Sequence, residues 1–196
     1  MTFDIGTRCW FPSKEYGWVG AEIVKVDSAT SEATLKLENG EEVAINLNKM
    51  RETTNDSIPG LALRNPPILE ATEDLTSLSY LNEPAVLHAI KERFANKNIY
   101  TYSGIVLIAT NPFAKVDELY GPNKVHDYST KRKEDLQPHL FAIADAAYKQ
   151  MQRDGENQTI IVSGESGAGK TVSAKYIMRY LSLIHISEPT RLRCIG

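Results

Sequence analysis

The run Gly164-Glu165-Ser166-Gly167-Ala168-Gly169-Lys170-Thr171 matches G-x-x-x-x-G-K-[ST] at every fixed position of this 196-residue chain. Glycines at those positions let the backbone turn tightly, so that successive N–H groups converge on a phosphate. Lys170 is then the cation expected at the β- and γ-phosphates and the residue expected to serve catalysis. The Thr171 hydroxyl is the expected Mg²⁺ ligand. The flanks suit the motif. Thr159-Ile160-Ile161-Val162-Ser163 reads as a buried strand, and residues 172–180 read as a helix whose N-terminal dipole favours an anion. A glycine-rich turn without a ligand is the plainer alternative.

Upstream, residues 5–52 read as short strands. Cys9-Trp10-Phe11, the run from Trp18 to Val26, the run from Ala33 to Leu37 and Glu42-Val43-Ala44-Ile45 alternate or are rich in β-formers. Pro12, Gly17 and the Asn39-Gly40 pair divide them, the last being a strong hairpin signal. Such close spacing predicts a small all-β barrel of SH3-like type. Residues 53–64 contain a polar stretch rich in Thr, Asn, Asp, Pro and Gly and read as a linker. Beyond them the pattern turns helical. Asn82 is a candidate cap for a helix with Pro84 in its first turn and Val86, Leu87, Ile90 and Phe94 on one face. Two β-rich runs follow, at residues 99–102 and 105–109, hinged by Ser103-Gly104. A second helix is predicted near Pro138, with Leu140, Ile143, Ala144, Ala147 and Met151 on one face and Gly155 as its stop.

Charge and composition remove several classes of function. The formal charge is −3, which provides no overall basic field for nucleic acid, and no apolar run approaches a membrane span. The first residues have neither a basic nor an apolar segment of a secretory signal, and the two cysteines, Cys9 and Cys194, fit a reducing compartment. A cytoplasmic protein without membrane insertion is the expectation. Trp10 and Trp18 read as core and rim of the barrel, and Lys131-Arg132-Lys133 as a solvated run. Cys9 reads as a small buried side chain; Glu73, Asp74 and Asp145 lack metal-site spacing, and His88, His126 and His139 are scattered.

The GESGAGKT loop resembles the nucleotide loop of the myosin motor family. The stretch NPPILEATEDLTSLSYLNEPAVLHAIKERFANKNIYTYSGIVLIATNPF, residues 65–113, is similar to class V myosin heavy chains, and the likeness covers residues 6–180. The resemblance implies an SH3-like barrel followed by the start of an α/β P-loop NTPase domain, with its motor part at residues 65–180. It implies ATP and Mg²⁺ as cofactors and a purine-binding loop on Asn111, Pro112, Phe113, Ala114 and Lys115, continuing to Tyr120. Lys115 stands where relatives often carry arginine, so charge is kept but planar stacking is lost. Actin filaments are the implied partner, with vesicle or organelle transport along them as the implied task. Calmodulin-like light chains and cargo adaptors would bind regions outside these residues. The family's two switch segments would also lie further along, so this stretch is expected to bind nucleotide without hydrolysing it.

The end of the chain reads differently. LSLIHISEPTR, residues 181–191, reads as the translation of a transposase-type sequencing-library adapter. The biological sequence is therefore expected to leave this frame at Tyr180 or Leu181, with residues 181–196 an artefact tail. A different P-loop ATPase or nucleotide kinase, and an SH3-like binding module with a vestigial loop, are the alternatives to a motor.

Overall fold

A computed structural model describes residues 4–27, 30–47 and 60–187; residues 53–59 of the expected linker, residues 188–196 of the expected tail and Cys194 lie outside them. The described residues divide into two units. One comprises residues up to Thr72 together with Ser77–Glu92, the other Glu73–Thr76 together with Arg93 onward.

The first unit holds strands β1 (Arg8–Ser13), β2 (Gly17–Asp27), β3 (Glu32–Leu37), β4 (Glu42–Asn46) and β5 (Ala62–Leu63). They form one antiparallel sheet in the order β4-β3-β2-β1-β5. The Asn39-Gly40 signal is realised as the β3–β4 turn. Gly40 adopts φ +89°, its N–H donates to Leu37 O at 2.9 Å, and Asn39 Oδ1 accepts from Glu41 N at 3.0 Å. Pro12 does not end β1, which pairs on to Ser13 against β2; among the described residues β5 pairs only with Cys9 and Trp10, so Pro12 has no ladder partner on that flank there. Ala62 and Leu63, assigned by composition to the linker, are the residues that form β5. β4 and β5 do not pair with each other among the described residues, so closure into the expected barrel is not seen among them. Its core is Cys9, Ala21, Ile23, Ala33, Leu35, Leu37 and Ile45, and the alternation of β3 places Ala33, Leu35 and Leu37 there.

Helix α1 (Glu83–Ala95) starts as read: Asn82 Oδ1 accepts from Ala85 N at 3.0 Å, with Pro84 in the first turn. Its inner face is only partly the one that hydrophobicity picks out, with Val86 and Ile90 half-buried. Leu87 is 55% and Phe94 39% exposed, whereas Ala85, Ala89 and Arg93 are buried. Alanines permit close approach of the helix backbone, and the Arg93 charge is satisfied internally. Its guanidinium donates to Tyr100 O at 2.9 and 3.2 Å and to Thr101 Oγ1 at 3.1 Å.

In the second unit the hairpin β6 (Tyr100–Ser103) and β7 (Val106–Ala109) turns at Gly104, φ +62°. Asp74 Oδ1 holds that turn by accepting from Gly104 N at 3.1 Å. Helix α2 (Pro122–Thr130) has no counterpart in the sequence reading. It is short and polar, and it buries Tyr128, whose hydroxyl donates to Gln137 O at 2.7 Å. Helix α3 (Leu140–Asp154) is capped by His139, whose Nδ1 accepts from Phe141 N at 3.0 Å. It stops at Gly155, φ +69°. Helix α4 (Lys170–Ser187) packs Ile177, Tyr180 and Ile184 against the core of this unit, with Tyr180 Oη donating to Asp145 Oδ1 at 3.0 Å. It runs as helix through residues 181–187, into the stretch expected to be adapter-derived.

The buried strand expected at residues 159–163 is not formed. The segment has no ladder partner among the described residues, and Ile161 is 85% exposed. A central parallel strand is buried only by neighbours on both sides, and the β6–β7 hairpin does not pair with it.

Candidate functional site

The loop of residues 164–169 joins the extended segment to the N-terminus of α4. Gly167 and Gly169 adopt φ +81° and +93°, a region that L side chains enter only at a steric cost. Ala168 N donates to Glu165 O at 3.2 Å, and the helical ladder opens with Ser173 N to Gly169 O at 2.9 Å. Lys170 folds back over the loop, its Nζ donating to Gly164 O and Glu165 O, both at 2.7 Å. The ammonium is thereby held over the beginning of the turn. Glu165 and Ser166 are exposed, as is Thr171 in the first turn of α4.

A cavity of about 450 Å³ opens beside this loop, inside the range usual for small-molecule sites. Asn111, Pro112, Phe113, Ala114, Lys115 and Tyr120 line it. The phosphate loop contributes Ala168 and Gly169, but Lys170 and Thr171 are not among its walls. Asn111 ties the two sides together: its Nδ2 donates to Gly167 O at 2.7 Å, and its Oδ1 accepts from Phe113 N at 3.0 Å. Phe113 is 87% exposed at the cavity wall with φ +48°.

Tyr120 sits deeper than a free stacking platform would. Its ring lies 3.5 Å from that of Tyr176 at an interplanar angle of 9°, and its hydroxyl shares a 2.6 Å hydrogen bond with that of Tyr100. Burial pushes the Tyr120 and Tyr100 hydroxyls above the usual tyrosine range. Both are therefore neutral at physiological pH. Val172, Ser173 and Tyr176 form a further wall that the sequence reading did not include. They follow the loop at i, i+1 and i+4 on α4, a spacing that could have marked one helix face turned to the site.

The other singled-out residues take structural places. Burial raises the Cys9 thiol to about 11, which leaves it protonated and unreactive. Lys131 pairs with Asp127 at 2.7 Å and Arg132 with Asp135 at 3.1 Å, while Lys133 Nζ lies 4.1 Å from the Tyr102 ring centroid. Trp10 is buried between the Arg64 guanidinium, 4.4 Å from its ring centroid, and the His88 ring at 4.9 Å. Among the described residues no cluster of three His, Cys, Asp or Glu could hold a metal ion, and no helix is long and apolar enough to cross a membrane.

Comparison with known proteins places the chain in a family. The family model "Myosin head (motor domain)" matches residues 72–193. Myosin-2 of Saccharomyces uvarum is 58% identical over 98% of this chain and 12% of its own length. Myosin-4 of Saccharomyces cerevisiae is 60% identical over 96% of the chain and 13% of its own length. Human unconventional myosin-Vc is 50% identical over 90% of the chain and 10% of its own length. The chain thus spans about an eighth of the curated relatives it matches, and within that span it belongs to the myosin head (motor domain) family.

Proposed function

We propose that these residues bind Mg²⁺-ATP for an actin-based motor, with the triphosphate in the loop of Gly164, Glu165, Ser166, Gly167, Ala168, Gly169, Lys170 and Thr171. The purine would lie toward Asn111, Pro112, Lys115 and Tyr120. The observation that carries the reading is the cavity itself, which joins the base-side segment to Ala168 and Gly169 of the phosphate loop. Lys170 fits the γ-phosphate role because its Nζ already bonds two oxygen acceptors of the loop, Gly164 O and Glu165 O. Thr171, exposed in the first turn of α4, fits a hydroxyl ligand to Mg²⁺. Bound there, Mg²⁺ would neutralise charge on the phosphates.

The family match at residues 72–193 favours a motor over another P-loop ATPase, a nucleotide kinase or a binding module. In the whole protein, ATP turnover would be coupled to movement along actin filaments in the cytoplasm for vesicle or organelle transport. Light chains and cargo adaptors would bind other regions. We also assign the first sheet to an SH3-like module and residues 181–196 to an adapter-derived tail, which genomic DNA read past the Tyr180 codon tests directly. For hydrolysis, the switch segments that the resemblance places further along the protein would be needed, so we assign nucleotide binding to this stretch.

The full-length protein is expected to co-sediment with actin, to be released by ATP, and to lose ATP binding by at least ~tenfold in Lys170→Ala. Retained binding in that variant would remove the phosphate-loop assignment. Failure to co-sediment with actin would remove the motor.

A further inference from the structure

The site is assembled from two segments far apart in sequence, and one side chain joins them. Asn111 and Gly167 are 56 residues apart, yet Asn111 Nδ2 donates to Gly167 O at 2.7 Å. From the same amide, Oδ1 accepts from Phe113 N at 3.0 Å, closing the turn in which Phe113 takes its left-handed φ of +48°. One planar group therefore fixes the apex of the phosphate loop and the direction of the base-side segment together. Lys170 secures a different part of the loop, bonding Gly164 O and Glu165 O. Ala168, which follows the Asn111 attachment at Gly167, donates its own N–H to Glu165 O at 3.2 Å.

We propose that Asn111 is a positioning residue, a strut that holds the phosphate loop in its binding form from the base side of the cavity. This rests on the nucleotide reading above, but the strut is defined by protein–protein bonds and can be tested without ligand. The chemistry requires an amide. Asp keeps an acceptor for Phe113 N but turns a second oxygen toward the Gly167 carbonyl; Ala makes neither bond. A residue on the base side would thereby govern affinity for ligands that have no base.

Millisecond hydrogen exchange of the full-length protein, without nucleotide, tests the strut in Asn111→Ala and in the nearly isosteric Asn111→Asp. Exchange in peptides covering residues 164–171 should rise roughly three- to tenfold in both, the range expected from loss of one such bond. Exchange in α3 should stay at the wild-type level. Mg²⁺-pyrophosphate affinity should fall by a similar factor. Unchanged exchange at residues 164–171 would overturn the strut, as would a rise spread evenly over the chain in both variants. Unchanged pyrophosphate affinity alongside weakened ATP binding would overturn it in favour of a direct base contact. A wild-type protein that binds neither pyrophosphate nor ATP would defeat the nucleotide reading, and the exchange result would still decide the strut.

Discussion

Gly169 sets a purely conformational condition on a single residue in the site. At φ +93°, a Cβ would not collide with any neighbour, since nothing lies within 4 Å of its ideal position; the cost is in the backbone. An L residue forced into a positive φ of this kind loses on the order of 1–2 kcal/mol. Gly169→Ala is therefore expected to leave the fold in place while the loop relaxes away from this geometry. ATP affinity should drop by about tenfold, with a far-UV spectrum like that of the wild type. Unaltered affinity would mean that the loop does not need this conformation to bind. The loop was readable in the sequence because its function is written in consecutive residues. Tyr176 was not, because its place depends on stacking with Tyr120, a partner supplied by a distant segment.

Helix α1 shows where a pattern of side chains misleads about an element. A hydrophobic face of Val86, Leu87, Ile90 and Phe94 is the natural reading, but full burial follows Ala85, Ala89 and Arg93, while Val86 and Ile90 are half-buried and Leu87 and Phe94 exposed. Apolarity ranked the larger side chains first, whereas closeness of packing selected the smallest, along with an arginine whose donors meet backbone and hydroxyl oxygens. The two readings predict opposite mutational costs. Leu87→Gln, on the exposed side, should change stability by no more than about 0.5 kcal/mol. Ala89→Leu, at a fully buried position, should overpack and cost about 1–3 kcal/mol. Urea midpoints of the two variants compare them, and a larger loss for Leu87→Gln would restore the face that the sequence suggested. Strands β1 to β4 were legible because alternation is a local signal. Residues 159–163 were misread because the same apolar run is a strand only when neighbours complete its ladder.

Across the molecule, the two units keep separate cores, and the larger one carries an ionisable group at its centre. His139 is 3% exposed among the rings of Tyr100, Tyr120, Tyr128 and Phe141. Burial depresses its pKa from 6.5 to about 4, and the charge of Lys124 acts in the same direction. Scattered histidines gave no hint of this in the sequence, since desolvation arises only when distant aromatic residues close around the ring. Above pH 6.5 the imidazole is neutral in both folded and unfolded chains and the folded state loses nothing. Between pH 6.5 and about 4 the unfolded chain takes up a proton that the folded one refuses, so stability falls as the pH falls. The accumulated loss is about 3 kcal/mol, complete once the pH lies below 4. His139→Asn keeps an acceptor for Phe141 N and removes the titration. Its urea midpoint should therefore vary less steeply across this window than that of the wild type, even if it starts lower because the smaller side chain leaves a gap. Parallel slopes would show that the core admits the proton, and that acid sensitivity in this part of the protein comes from its carboxylates instead.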